Sequence, residues 1–170
     1  MEKKYRLTEE TKEWCGHTLH RIEALKDFGD VKAGDKGGWI EKEENLSHQG
    51  DAWVYDSARV SDSARVSDSA WVSGSARVSD SARVSGSARV SDSARVSGEA
   101  DYIVFKNWWS SGRYFTWTRS NNMWRVGCFY GTGEELIKKA YADSEKSGRE
   151  YERVVKYVES ILADEKENKE

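Results

Sequence analysis

Aromatic and arginine side chains alternate between residues 108 and 125, and these are the side chains best equipped to bind a ligand. Flat rings stack on indole and guanidinium planes, and phosphate oxygens accept charge-assisted hydrogen bonds from arginine. The pattern predicts a site for a flat, negatively charged molecule such as a nucleotide. The residues predicted to bind it are Trp108, Trp109, Arg113, Tyr114, Trp117, Arg119, Trp124 and Arg125.

A loop with the sequence Tyr-Gly-Thr-Gly, centred on Gly131 and Thr132, precedes a predicted helix and adds to this candidate site. Backbone N–H groups at a helix N-terminus attract anions, so we include Thr132 among the ligand-binding residues. The loop lacks the lysine and the spacing of a P-loop, and a capping box explains it equally well. The aromatic residues could likewise form the core of a small domain.

A short antiparallel sheet and two helices must position these side chains. The segments YIVFKNWW, YFTWTRS and MWRVGCFYG are typical of three strands joined by tight turns. A capping box from Thr132 to Glu135 predicts a helix through about Asp143. A second box, starting at Ser147, predicts a helix through about Ala163. The prediction is an α+β C-terminal domain over residues 101–170.

A six-residue repeat occupies the middle of the chain, from Ala52 to Ala100. Alanine opens each unit and valine follows two residues later. Residues two apart in a strand face the same side, so alanine and valine point inward and the Arg or Trp between them points outward. Ser-Asp and Ser-Gly pairs supply turns. The period predicts a β-solenoid over residues 38–100, in which each coil buries its apolar face against its neighbours.

The units ARVSDS and AWVSGS resemble the repeats of the hexapeptide-repeat family, whose fold is a left-handed parallel β-helix with three units in each triangular coil. The opening ALKDFGDVKAGDKGGWIEKEENLSHQG and the ending WRVGCFYGTGEELIKKAYADSEKSG are similar to hexapeptide-repeat accessory proteins of bacteriophages and prophages. The resemblance implies a mainly β fold: a left-handed parallel β-helix with a small α+β C-terminal domain. It also implies that residues 18 apart stack and that the protein forms a trimer.

Stacking by 18 arranges the outward side chains in columns. The columns are Trp53–Trp71–Arg89, Arg59–Arg77–Arg95 and Arg65–Arg83–Asp101. Stacked arginines repel one another. Either nearby aspartates neutralise a solvent-exposed face, or an arginine column binds an anion or an acidic partner. Outward Trp53 and Trp71 predict a contact between subunits of a homo-oligomer, unless terminal segments of the same chain cover them.

Residues 1–37 are predicted to cap the first coil, which would otherwise expose unpaired backbone. Tyr5–Leu7 is predicted as a short strand. Extending the six-residue register backwards makes Ile40 and Leu46 equivalent to Ala52 and puts His48 in a valine-type position.

The net charge bears on the class of partner, and the lack of a targeting signal bears on the expected cellular location. A net charge of −3 and a pI near 5.8 argue against a general DNA-binding surface. The polar start carries no secretory signal, the two cysteines form no CxxC motif, and no apolar run reaches transmembrane length. We expect a cytoplasmic protein, in the host cell if it is phage-encoded, with no membrane partner.

Three classes of function compete. Many hexapeptide-repeat proteins are acyltransferases that use a histidine base. Here His17, His20 and His48 all precede the regular coils, and no catalytic triad or metal-ligand set is visible. We therefore expect no catalysis, metal or cofactor, and a packing role for His17 and His20. The sequence favours a phage-type counter-defence oligomer that sequesters a nucleotide-like immune signal. The alternatives are an inhibitor of a host defence protein and a structural scaffold.

Overall fold

A parallel β-solenoid forms the centre of the computed structural model, which describes residues 2–169. Its regular coils contain 18 residues, and their successive two-residue strands belong in turn to three sheets. The strands are β4 Trp53–Val54, β5 Arg59–Val60, β6 Arg65–Val66, β7 Trp71–Val72, β8 Arg77–Val78, β9 Arg83–Val84, β10 Arg89–Val90 and β11 Arg95–Val96.

Parallel pairing between coils confirms that residues 18 apart stack. Trp53 pairs with Trp71, and Arg59 pairs with Arg77. The alanines and valines of the repeat from Ala52 to Val96 point inward and are at most 1% exposed. Burying a valine side chain contributes about 1.5 kcal/mol or more, so the solenoid core grows with every unit.

The turns between strands use the aspartates in a way the sequence did not reveal. Asp56, Asp62 and Asp68 have positive φ, and each carboxylate accepts a hydrogen bond from the backbone N–H of the residue 18 positions later. Asp80 and Asp92 also have positive φ, and glycine occupies the remaining turns at Gly50, Gly74 and Gly86. At Gly74 a Cβ would lie 2.8 Å from the nitrogen of Asp92 in the next coil, so close approach requires glycine there.

The first coil is longer than the others. Ile40 pairs with Val60, and Leu46 bridges to Val66, so 20 residues separate partners here. The predicted register, with Ile40 and Leu46 equivalent to Ala52, is therefore wrong because the turn after Leu46 contains two additional residues. His48 lies in that turn, where its ring stacks on Tyr5 with centroids 4.3 Å apart.

An antiparallel hairpin extends one sheet of the solenoid at the N-terminus. It consists of β1 Tyr5–Trp14 and β2 His17–Ala24, and β2 pairs with β3 Lys36–Ile40. The resulting sheet has the order β1-β2-β3-β5-β8-β11. Cys15 and Gly16 have φ of 48° and 85°, as a two-residue hairpin turn requires. The strand predicted at Tyr5–Leu7 is thus the beginning of a longer one, and the predicted domain boundary at residue 37 falls within β3.

A four-stranded antiparallel sheet and two helices form the C-terminal part. The strands are β12 Tyr102–Lys106, β13 Tyr114–Thr118, β14 Met123–Val126 and β15 Phe129–Gly131, followed by α1 Gly133–Asp143 and α2 Glu145–Glu167. The predicted fold class, a β-helix with a short antiparallel sheet and two helices, is confirmed. The sheet has one strand more than predicted, because a turn at Gly127, whose φ is 57°, splits the last segment.

One of the two predicted capping boxes is present at a helix start, and the other is not. Thr132 caps α1 and forms the predicted box with Glu135. The box predicted at Ser147 is wrong, because Ser144 caps α2 and Ser147 lies inside the helix. Gly148 faces the ring of Tyr141, and a Cβ at that position would clash with it.

The C-terminal sheet covers the last coil of the solenoid. The backbone N–H groups of Arg89 and Arg95, which have no further coil to pair with, donate to Thr116 Oγ1 and Ser120 Oγ at 3.0 and 2.7 Å. Side chains of the same sheet pack against the solenoid core. Within residues 2–169, no helix has the length and apolarity needed to cross a membrane.

Candidate functional site

Three of the tryptophans predicted to bind a ligand lie in the core of the C-terminal domain. Trp109, Trp117 and Trp124 are 8%, 0% and 2% exposed. They pack with Phe115 and Tyr151, and Trp117 Nε1 donates to Asn122 at 2.8 Å. Neighbouring side chains occupy the faces on which a ligand ring would stack. The interpretation of these aromatics as core, which the sequence left open, describes all three.

The other residues of that predicted site lie in different environments. Trp108 is 71% exposed and Tyr114 47% exposed. Arg119 Nη2 lies 3.2 Å from Glu165 Oε1, and its guanidinium lies over Trp117. Arg113 is exposed, Arg125 is half-buried, and Thr132 serves as the cap of α1. Ligand binding by this set stays a prediction.

The two outward tryptophans of the solenoid also differ from each other. Trp53 is 1% exposed, because Phe28 and Tyr5 of the same chain cover it at centroid distances of 5.3 and 6.1 Å. It is therefore not a free surface for another subunit. Trp71 is half-buried between Tyr55 and Arg89, and a role for it in self-association stays a prediction.

The column of Arg59, Arg77 and Arg95 makes no direct ion pair among residues 2–169. In the part of the chain that the structure describes, no carboxylate oxygen lies within 4.0 Å of any of the three guanidinium groups. Asp62 and Asp80 line the same groove as the column, and the carboxylate of Asp62 accepts a hydrogen bond from a backbone N–H. Both interpretations of the column, a face neutralised by nearby aspartates and a site for an anion, therefore stay predictions.

Trp14, the last residue of β1, reaches from the hairpin over this column. Its ring centroid lies 3.9 Å from Arg59 Cζ and 4.5 Å from Arg77 Cζ. The hairpin tip and the column enclose a groove with a volume of about 300 Å³. Arg59 Nε is buried without a hydrogen-bond partner among residues 2–169, and burial, together with neighbouring Arg77, lowers the pKa of Arg59.

His17 lies on the other side of this groove, between two carboxylates. Its Nδ1 is 3.3 Å from Glu41 Oε1, and its Nε2 is 3.3 Å from Asp62 Oδ1. Backbone groups hold the second oxygen of each carboxylate: Glu41 Oε2 accepts from the N–H of Asp62 at 2.6 Å, and Asp62 Oδ2 accepts from that of Asp80 at 3.3 Å. The two oxygens that face His17 are therefore fixed before any ligand arrives.

The arrangement around His17 is complementary to a hydrogen-bond donor when the imidazole is neutral, whereas a protonated imidazole donates to both carboxylates by itself. A neutral imidazole that donates Nδ1–H to Glu41 turns the lone pair of Nε2 towards Asp62, and two facing acceptors are unfavourable without a proton between them. An amine or a hydroxyl can supply that proton. The ligand atoms of His17, Glu41 and Asp62 lie within 4.8 Å of one another, and zinc accepts all three residue types. The carboxylates approach opposite nitrogens, however, so one ion at this position would lose one of the three ligands.

The sequence assigned His17 to packing and missed this site. Its signal was weak: a two-residue turn, Cys15-Gly16, flanked by an aromatic residue and a histidine. Nothing in the repeat indicated that the hairpin tip would fold back over Arg59 and Arg77, the first two arginine rungs.

Comparison with known proteins yields one informative relative. No family model matches the chain. The chain is 37% identical over 67 residues to the uncharacterized acetyltransferase YdcK of Escherichia coli (strain K12), which is 35% of this chain and 21% of the relative. The chain thus spans about a fifth of that protein's length. The match and the solenoid agree with the hexapeptide-repeat resemblance of the sequence.

This comparison corrects the expected function. The sequence favoured a non-catalytic protein that sequesters a nucleotide-like immune signal, and it placed acyl transfer last. That prediction is contradicted, because the relative is named as an acetyltransferase. The name of this relative is consistent with enzymatic activity, but the partial match does not contradict the expectation of none.

Proposed function

We propose that the protein transfers an acyl group, such as acetyl, from a thioester donor to an amine or a hydroxyl, with His17 as the general base. The observation that carries this proposal is the placement of His17 between the fixed carboxylates of Glu41 and Asp62 beside an open groove. The name of the partial relative supports the same reaction class.

Each residue has a definable task in this reaction. Glu41 accepts the Nδ1–H bond and so directs the Nε2 lone pair to the acceptor. A primary amine can donate one N–H to Asp62, which orients it, and keep the other N–H for Nε2, whereas a hydroxyl has a single proton and donates it to Nε2. As the acceptor attacks the thioester carbonyl carbon, its proton moves to Nε2 and the carbon–sulfur bond breaks. The thiolate leaves and takes up the proton that His17 holds, which restores the neutral base.

All three residues belong to one chain, so the proposed chemistry needs no second subunit. Self-association through Trp71 remains a separate prediction.

The test is turnover of acetyl-CoA with a panel of amine- and hydroxyl-bearing acceptors. Product should be measured by chromatography and mass spectrometry. Thiol reagents are unsuitable because Cys15 and Cys128 are both exposed. We expect His17→Asn to reduce turnover about 100-fold or more, the usual contribution of a general base.

His20→Asn is the matched control. His20 lies on the same strand, and its Nδ1 contacts the carbonyl of Thr8 at 3.2 Å rather than a carboxylate. Its turnover should stay within about twofold of the unmodified protein. Absence of acyl transfer to every acceptor, or equal activity in the two histidine variants, would overturn the proposal.

A further inference from the structure

The arginine column beside the proposed base has features of a binding site in its own right. The column contains Arg59, Arg77 and Arg95, which pair rung on rung through β5, β8 and β11. Successive rungs of a parallel sheet are about 4.8 Å apart, so the three positive charges repel one another. No carboxylate within the described residues lies within 4.0 Å of the three guanidinium groups, so each guanidinium can still form a direct ion pair with an anion.

The groove walls determine how an anion could approach. Trp14 stacks against Arg59 and Arg77 and restricts their side-chain motion, but an aromatic face does not cancel their charge. The carboxylates of Asp62 and Asp80 lie at the turn side of the same groove, where Asp80 Oδ2 accepts from Ser79 Oγ at 3.2 Å. The groove is therefore positive along the column and negative at one edge.

We propose that this groove binds a linear oligophosphate, with its phosphate groups placed along the column of Arg59, Arg77 and Arg95. A guanidinium forms paired, charge-assisted hydrogen bonds with phosphate oxygens. A chain of phosphates meets a new guanidinium at each rung, whereas a single phosphate meets one or two. Binding also removes the repulsion between rungs. The negative edge excludes anions that spread across the groove rather than along it.

The solenoid supplies an internal comparison for this proposal. Arg65 and Arg83 form a second stacked pair on β6 and β9, and both are exposed and also lack an ion pair among residues 2–169. Their wider groove, of about 710 Å³, is lined by Glu43, Glu44 and His48. No tryptophan lines it, and the glutamates reduce its positive potential.

The test is calorimetric titration of the full chain with inorganic tripolyphosphate and with orthophosphate at 150 mM NaCl. We expect tripolyphosphate to bind at least tenfold more tightly than orthophosphate. Arg77→Gln should weaken tripolyphosphate binding about tenfold or more, because one charge-assisted contact is lost. Arg83→Gln removes the same charge from the other face and should change the affinity less than twofold.

A second variant separates a loss of binding from a loss of folding. Arg77→Lys keeps the charge but not the paired hydrogen bonds, so we expect an intermediate loss with an unchanged circular dichroism spectrum. Equal losses in Arg77→Gln and Arg83→Gln, or no preference for tripolyphosphate over orthophosphate, would overturn the proposal.

The source of the phosphate chain can be separated in the same assay. A nucleoside triphosphate that binds tenfold more tightly than tripolyphosphate supports a nucleotide, whose base adds a stacking contact. Equal affinities support a free oligophosphate, and failure of both to bind refutes the site. None of these measurements requires acyl transfer, so the binding site and the proposed reaction can fail independently.

Discussion

The protein contains two clusters of tryptophan and arginine, and they have opposite environments. In the C-terminal domain, Trp117 is fully buried and Arg119 is paired with Glu165. In the solenoid groove, Trp14 is half-buried, and Arg59 and Arg77 have no acidic partner in the region the structure describes. Residue types alone do not distinguish a core from a binding site. What distinguishes them is whether the protein already satisfies the charge and covers the rings.

The strongest test of this comparison is Trp117→Ala. Truncating a fully buried indole should lower the free energy of unfolding by about 3–5 kcal/mol. Tripolyphosphate affinity should be unchanged wherever the variant is folded. Urea denaturation followed by circular dichroism measures the free energy of unfolding, and calorimetric titration measures the affinity for tripolyphosphate. A variant with full stability and weakened ligand binding would show that the C-terminal cluster is a site after all.

The buried side chain of Lys4 shows that backbone carbonyls can hold a cation that has no ion pair with a carboxylate. Lys4 is 1% exposed, and its Nζ donates to the carbonyls of Gly50 and Ala52 at 3.2 and 2.8 Å. Burial lowers its pKa from 10.5 to about 8. Between these values the unfolded chain keeps a proton that the folded chain releases, so this group makes the protein more stable as pH rises through the window.

We expect the free energy of unfolding to gain on the order of 1–3 kcal/mol from Lys4 across that window. Lys4→Met should abolish this part of the pH dependence. Urea titrations from pH 7.5 to 9.5 measure it, and they stay below the pH at which an unfolded tyrosine ionises. That limit matters because burial raises the pKa of Tyr5, which makes its effect opposite in sign. Identical pH slopes in both proteins would contradict the assignment.

A pair of arginine substitutions compares the two clusters directly. Arg119→Met removes the contacts with Glu165 and with the carbonyl of Ala100, and it should cost about 1 kcal/mol, since both ionic groups are partly exposed. Arg77→Met removes repulsion within the column and should leave stability unchanged or slightly higher. Thermal denaturation at low and high salt measures both. A larger loss in Arg77→Met would mean that the column has a compensating partner.

The smallest expected effect belongs to Trp14→Leu. Leucine retains apolar cover but loses the cation–π contacts, which at a partly exposed site contribute about 0.5 kcal/mol. Trp14→Phe, which keeps an aromatic face, should be nearly neutral. If Trp14→Leu proves as damaging as Trp117→Ala, the hairpin tip is part of a core and not the wall of a groove.

The sequence predicted the periodic parts of the molecule and missed those that depend on distant contacts. Alanine and valine at fixed spacing determine the solenoid and its columns, because each side chain stacks on the equivalent residue 18 positions away in the next coil. The cap of α1 was equally local. The proposed role of His17, by contrast, depends on Glu41 and Asp62, which lie in two different coils and come near His17 only in the folded chain. The buried state of Trp117 depends on α2, more than 30 residues later in the sequence.

The parallel pairing between residues 18 apart has an evolutionary consequence. Because the regular coils are joined by the same backbone register, a gene can gain or lose 54 bases, one coil, and keep both ends of the protein intact. Such a change adds or removes one arginine rung in the groove. Gain or loss of a single unit would instead move the C-terminal domain to a different face. Homologues should therefore vary in length by whole coils, and the number of rungs gives selection a stepwise means to adjust the length of anion that the groove accepts.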